Sequence, residues 1–168
     1  LDADEWPGRD SGDRYARGPG FAHYDPAADL GGAVRSRTPA ILGMGRIGRQ
    51  VAMRARGFGM TVLYHNRNRD DEAEIALGAR YASKADLLKH ADYIVLCVPL
   101  TPDTRGLIGA AELAQMKPTA TLVNVARGAV VDKDALTAAL KAKKIFAAAL
   151  DVTDPAPLPR GHPLLSLD

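Results

Sequence analysis

From Pro39 onward the chain alternates short apolar runs with longer stretches of helical spacing. Residues 40–42 read as a short buried strand. Residues 46–58 then read as a helix, with Ile47, Val51 and Ala55 repeating at i, i+4 on one face. Gly57 and Gly59 end that helix, and residues 60–64 form a second strand. Residues 70–77 carry acids in the first turn, as the helix dipole favours, and Gly78 closes them. A third strand is expected at 79–82, and Ser83 caps a helix running to His90. Residues 93–98 (YIVLCV) are continuously apolar, the signature of a strand buried on both faces of a parallel sheet. Helices at 110–116 and 132–141 alternate with strands at 120–125 and 145–152. Strands and helices alternating at this spacing predict an α/β fold, a doubly wound parallel sheet with right-handed crossovers and strand order 3-2-1-4-5-6.

The first strand runs into Gly43-Met44-Gly45-Arg46-Ile47-Gly48. Glycines 43, 45 and 48 have the G-x-G-x-x-G spacing of a dinucleotide-binding turn, which together with the alternation makes the fold a Rossmann sheet. The first glycine permits the tight turn, the second lets backbone approach a pyrophosphate, and the third lets the helix pack closely on its strand. The helix start then offers unpaired N–H groups and a positive dipole end to an anion.

The 168 residues include 46% hydrophobic and 25% charged positions, values of an ordinary soluble domain. A net charge of +2, from 22 basic and 20 acidic residues, gives no field that would favour nucleic acid. The single cysteine, Cys97, excludes an internal disulfide, fits a reducing compartment and reads as a buried structural thiol rather than a nucleophile. No long uncharged apolar segment or apolar signal core is present, so no membrane association and a cytoplasmic location are expected, and no metal site is expected. Residues 1–37 differ in kind: rich in Gly, Asp, Arg and Pro, without sustained period, they read as an extended or disordered linker. Trp6, Phe21 and Tyr24 read there as local packing anchors, with an aromatic RNA-binding arm as the less favoured alternative. Residues 38–168 form the nucleotide-binding domain.

A carboxylate at the end of the second strand usually holds the ribose hydroxyls of NAD. Here that tip is His65-Asn66-Arg67-Asn68-Arg69, without an acid and with two arginines. A guanidinium can hold a 2′-phosphate bidentately where a carboxylate would repel it, so NADP(H) is favoured and NAD(H) is the second candidate. Asn66, Arg67, Asn68 and Arg69 are therefore assigned to the cofactor. Solvated loop charges are the alternative for the two arginines, and Asp70 and Asp71 read as first-turn helix acids. Ligands of such sheets bind beyond the carboxyl ends of the strands. Arg127 ends an apolar strand beside Gly128 and is expected to meet an anion, with an ion pair to Asp151 or Asp132 as the alternative. Asp151 ends the last strand, where it could accept a hydrogen bond from a nicotinamide carboxamide or serve as a cap or ion-pair partner.

The ordered set GMGRIG, CVPLTPDTRGLIG, NVARGAVVD and ALDV resembles the D-isomer-specific 2-hydroxyacid dehydrogenase family. HNRNR and LDVTDPAPLPRGHPLL resemble its glyoxylate/hydroxypyruvate reductase branch most. The resemblance covers residues 38–168 and implies the NAD(P)-binding domain of a two-domain oxidoreductase that reduces a small 2-oxo acid. It implies that Arg127 clamps the substrate carboxylate, that Gly43, Gly45, Arg46, Ile47 and Gly48 form the pyrophosphate turn, that Pro99, Thr104 and Val125 line the cofactor cleft, and that Asp151 sits at the nicotinamide. A homodimer is expected for the complete enzyme.

Two departures stand out. The glutamate that orients the family's catalytic histidine is replaced by Ala156, and that histidine belongs to a motif beyond Asp168. His162 matches a surface HPLL segment and reads as a loop histidine. The substrate domain is expected to lie outside this chain, leaving a cofactor domain inactive by itself. A non-catalytic nucleotide-sensing module of co-repressor type is the second reading. A 6-phosphogluconate-type dehydrogenase is the third, disfavoured by the NVARG segment and the LDVT strand end.

Overall fold

The structure, a computed structural model, describes residues 34–167. The expectations for Trp6, Phe21, Tyr24 and most of the 1–37 segment lie outside the described residues. Six strands, β1 (Pro39–Leu42), β2 (Leu63–His65), β3 (Arg80–Tyr81), β4 (Tyr93–Leu96), β5 (Thr121–Asn124) and β6 (Ala147–Leu150), form one parallel sheet of order β3-β2-β1-β4-β5-β6. Five helices alternate with them: α1 (Arg46–Gly57), α2 (Asp71–Leu77), α3 (Lys84–His90), α4 (Ala110–Leu113) and α5 (Lys133–Lys141). Type and order of these strands and α-helices, and the direction of the strands, agree with the periodicity.

Apart from β1, which gains Pro39, the strands and helices are shorter than the apolar runs suggested, for identifiable reasons. Residues 60 and 61 stay out of β2 because the Met60 N–H still bonds the Ala55 carbonyl of α1, and Thr61 bonds Arg37. The apolar run of β4 outlasts its neighbour. Cys97 donates the last rung to Leu42, after which Gly43, at φ +99°, turns β1 away. The α4 segment tightens after Leu113, since Gln115 and Met116 donate to residues three back rather than four. Two 3-10 turns, Gly128–Val130 and Pro163–Ser166, were not expected from periodicity.

Strand residues alternate between two cores. Ala40 and Leu42 of β1 join Leu87, Leu88, Ile94 and Leu122 in the larger cluster, whereas Ile41 joins Ala52, Ala55 and Tyr64 in the other. One expectation fails here. The face of α1 that packs on the sheet is Gly48, Ala52 and Ala55, with Val51 half-buried and Ile47 57% exposed. The reason is the third glycine: a Cβ on Gly48 would lie 2.2 Å from the Gly43 carbonyl oxygen and 3.1 Å from Ile41. The helix start therefore sits against β1 through a residue with no side chain, and the bulkier Ile47 is turned outward.

Registers bring the strand ends into a row. Leu42 pairs with His65 and Leu96, Leu96 with Asn124, and Asn124 with Leu150. The next residues, Gly43, Asn66, Cys97, Val125 and Asp151, all leave the sheet along one edge. At the opposite edge Asp92 gathers the strand starts: its carboxylate accepts from the Thr38 N–H at 2.9 Å and from Lys117 at 3.1 Å, with Arg37 at 3.7 Å.

Two tests follow from this packing. Gly48→Ala should destabilise the domain by about 1–3 kcal/mol through overpacking, while Gly57→Ala, whose Cβ meets nothing within 4 Å, should be neutral or stabilise slightly; thermal unfolding of both variants measures the contrast. Burial alone would raise the Asp92 carboxyl, but the Thr38 N–H, Lys117 and Arg37 outweigh it and hold it below the usual carboxylate range. Because the folded value is the lower one, its stabilisation is complete above the unfolded value of about 3.9 and is lost as pH falls through the folded value. Asp92→Asn should therefore melt earlier than wild type at pH 7, with the gap closing below about pH 4.

Candidate functional site

A groove of about 630 Å³ runs along the carboxyl edge, its lining mostly apolar with Arg46 and Arg127 as the polar members. Gly45, Arg46, Ile47, Pro99, Val125 and Arg127, all expected at a site, are among its lining, joined by Cys97 and Val98. The lining contains two arginines and no carboxylate. A second groove of about 560 Å³ borders β6 near Phe146 and Leu164 and shares no residue with the first.

The glycine turn shapes one wall. A Cβ on Gly43 would stand 2.8–2.9 Å from the backbone of Cys97 and Val98, so the turn and the end of β4 are in backbone contact. Gly45, by contrast, has open space where a Cβ would be, and it caps α1 without any side-chain hydrogen bond. No acid occupies the first turn of α1. Open backbone N–H groups and an uncompensated dipole face the groove, an arrangement suited to a phosphate.

Asn66 ties the tip after β2 to this turn: its Oδ1 accepts from the Met44 N–H at 2.7 Å. The far end of the tip is fixed as well. The Asp70 N–H donates to the buried Tyr64 hydroxyl at 2.7 Å, and the Asp70 carboxylate accepts from the Ala73 N–H and from Arg49 of α1 at 2.9 Å. Those bonds, the Ala73 N–H foremost, hold its carboxyl below the usual range; Asp70 is the cap of α2 rather than a first-turn acid, while Asp71 lies in the first turn as read. Between the anchors Arg67, Asn68 and Arg69 are exposed. The two arginines differ. Arg69 is gripped by Glu74, Nε and one terminal nitrogen each donating at 2.7 Å, with Asp71 at 3.7 Å. Arg67 forms no ion pair among the described residues. The free pair of cations expected from the sequence is therefore one free cation and one engaged one. Arg69 lies five residues before Glu74, one turn into a helix, and that spacing was the available signal.

Arg127 is exposed at the rim and is presented by Asn124, a buried polar residue that sequence reasoning passed over. The Asn124 Oδ1 accepts from the Ala126 N–H and its Nδ2 donates to the Arg127 carbonyl, each at 3.0 Å, closing a turn at the end of β5. Gly128 follows because a Cβ there would meet the Thr153 carbonyl at 2.1 Å, so the Arg127 turn lies on the backbone after β6. The ion pair considered for Arg127 does not form among the described residues: Asp132 caps α5 through the Asp134 and Ala135 N–H groups, and Arg127 donates to the Ala126 carbonyl at 2.6 Å. Asp151 is exposed at the end of β6, its peptide N–H bonded to Asn124. Thr104 does not line the groove. Its hydroxyl accepts from the Thr101 N–H and donates to the Pro99 carbonyl at 2.6 Å, which shapes the loop carrying Pro99. His162 caps the Pro163–Ser166 turn through Nδ1, in keeping with a loop histidine, and Ala156 is exposed. Among the described residues no helix is long and apolar enough to cross a membrane.

Comparison with known proteins places these features. The family described as "D-isomer specific 2-hydroxyacid dehydrogenase, NAD binding domain" matches residues 11–168. A glyoxylate reductase of Aeropyrum pernix is 50% identical over 141 residues, covering 84% of this chain and 42% of that protein. A glyoxylate/hydroxypyruvate reductase B of Pectobacterium atrosepticum is 51% identical over 139 residues, covering 82% and 43%. The crystal structure of the TT0316 protein from Thermus thermophilus superposes with a TM-score of 0.83 at 46% identity, covering 93% of this chain and 48% of that one. The chain thus spans less than half the length of these relatives.

Cys97 borders the groove but is not prepared as a nucleophile, because burial pushes its thiol up to about 11. Native alkylation by iodoacetamide at pH 7.5 should be on the order of a hundredfold slower than in the unfolded chain, rising with pH toward that value. Equal rates in the two states would contradict this.

Proposed function

The chain belongs to the D-isomer specific 2-hydroxyacid dehydrogenase family through its NAD binding domain, and from that premise we propose that it is the cofactor-binding part of a glyoxylate or hydroxypyruvate reductase that takes NADP(H) in preference to NAD(H). The substrate class is supported by the names of relatives near 50% identity. A single observation carries the cofactor preference: at the tip after β2 the neutral Asn66 caps the glycine turn, and Arg67 beside it is exposed without an anionic partner among the described residues.

The residues present fit a dinucleotide. Gly43 closes the turn against β4, Gly45 leaves open space above the helix start, and the groove lining is cationic without a carboxylate. The Arg46 side chain and the first N–H groups of α1 would hold the pyrophosphate, and Arg67 the 2′-phosphate. Asp151 would accept a hydrogen bond from the nicotinamide carboxamide and so fix which ring face is presented. When bound, the cofactor supplies the hydride that reduces C2 of a 2-oxo acid.

Arg127 would pair its guanidinium with the substrate carboxylate and donate a hydrogen bond to the oxo oxygen, stabilising the negative charge that grows there during reduction. Because a guanidinium keeps its protons, Arg127 positions and polarises but does not supply the proton that completes the alcohol. Asn124 holds its backbone in place for that task.

Calorimetric titration of the chain with NADPH and NADH tests the reading. Charge-assisted hydrogen bonds of about 1.5–3 kcal/mol predict that NADPH binds roughly tenfold or more tightly than NADH. Arg67→Ser should remove that preference by weakening NADPH alone. Equal affinities in the wild type, or no binding of either nucleotide, would refute it.

A further inference from the structure

Arg69 stands two residues from Arg67 on the same tip, which Asn66 anchors to the glycine turn and the Asp70 N–H anchors to Tyr64. Its guanidinium is nevertheless committed. Nε and one terminal nitrogen form a two-pronged pair with the Glu74 oxygens at 2.7 Å, and Asp71 adds a second negative charge at 3.7 Å. Glu74 is itself held in place, because its Oε1 accepts from the hydroxyl of Tyr64, a side chain with no exposed surface, at 2.8 Å. The Glu74 carboxyl is held below the usual carboxylate range, first by Arg69 and then by Tyr64, so it is ionised at neutral pH.

A bidentate carboxylate occupies a guanidinium edge in the way a phosphate would. We propose that Glu74 is a specificity-determining residue: by taking up the Nε edge of Arg69 it withholds that arginine from the 2′-phosphate of NADP(H) and leaves the discrimination to Arg67. This rests on the NADP(H) reading above and deepens it. The two arginines, alike in the sequence, have unequal roles. Arg67 discriminates, while Arg69 is neutralised by the helix that follows it, and the protein holds less preference for the phosphorylated cofactor than its two cations would allow.

The test is a double-mutant cycle on the full chain, with NADPH and NADH dissociation constants measured by calorimetry. Glu74→Gln keeps an oxygen for the Tyr64 hydroxyl but removes the charge that binds Arg69. It should raise NADPH affinity about two- to fivefold, the scale of an exposed ion pair, and leave NADH affinity unchanged. Arg69→Ser in the wild-type background should change NADPH affinity less than about twofold, but in the Glu74→Gln background it should cancel the gain. Unchanged or weaker NADPH binding in Glu74→Gln, with NADH binding intact, would overturn the proposal. Should Glu74→Gln fail to fold, Arg69→Ser alone decides: a loss of NADPH affinity as large as that of Arg67→Ser overturns it, and a near-silent effect supports it. Failure of the underlying reading looks different, since the wild type would then bind both nucleotides equally and Arg67→Ser would be indifferent.

Discussion

The contact on which the site depends is backbone against backbone at the end of β1. Gly43 turns at φ +99° within van der Waals reach of Cys97 and Val98, and Gly48 brings the start of α1 onto the Gly43 carbonyl. Neither approach tolerates a side chain. Together they set the helix start directly above the strand ends, so that its open N–H groups face the groove instead of the sheet. Gly128 does the same on the other half, laying the Arg127 turn on the backbone after β6. Three close approaches, at Gly43 and Gly48 on the β1 side and at Gly128 on the β5 side, therefore frame the groove at the strand ends.

Charge is arranged around that geometry by subtraction. Apart from the exposed Asp151, carboxylates near the sheet are engaged in structural tasks: Asp70 caps α2 and binds Arg49, Asp132 caps α5, Glu112 pairs with Lys84 and bonds the Gly109 N–H, and Asp92 gathers the strand starts. What remains over the groove is Arg46 and Arg127, with Arg67 at the tip. A dinucleotide carries its charge on phosphates, and the groove lining offers cations and helix N–H groups with no carboxylate among them.

Much of this was legible in the sequence, and the failures share a cause. Continuous apolar runs such as 93–98 and the capping residue Ser83 act locally, so periodicity and cap chemistry placed the elements and their order. The row of strand ends that carries the turn, Arg127 and Asp151 followed from the parallel order. Strand limits were overestimated because a strand ends where its neighbour turns away, as β4 does beyond Leu42, and no single segment records that. The face of α1 was misjudged because apolar spacing weighs Ile47 above Gly48, while the close approach of the backbone selects the glycine. Sequence reasoning assigns Asn66 to the cofactor and passes over Asn124, yet the side chain of each bonds backbone, Asn66 at the glycine turn and Asn124 at the end of β5. Arg69 looked equivalent to Arg67 until Glu74, fixed by a buried tyrosine, separated them.

If the groove between the glycine turn and the ends of β4 and β5 holds the dinucleotide, nucleotide must perturb its walls. Amide chemical shifts of the isotopically labelled chain, followed by NMR during titration with NADPH, test it most directly. Shifts should concentrate at Gly45, Arg46, Ile47, Arg67, Val98 and Ala126, with the β6 border around Phe146 unmoved. Shifts confined to that border, or none along the glycine turn at saturating nucleotide, would contradict it.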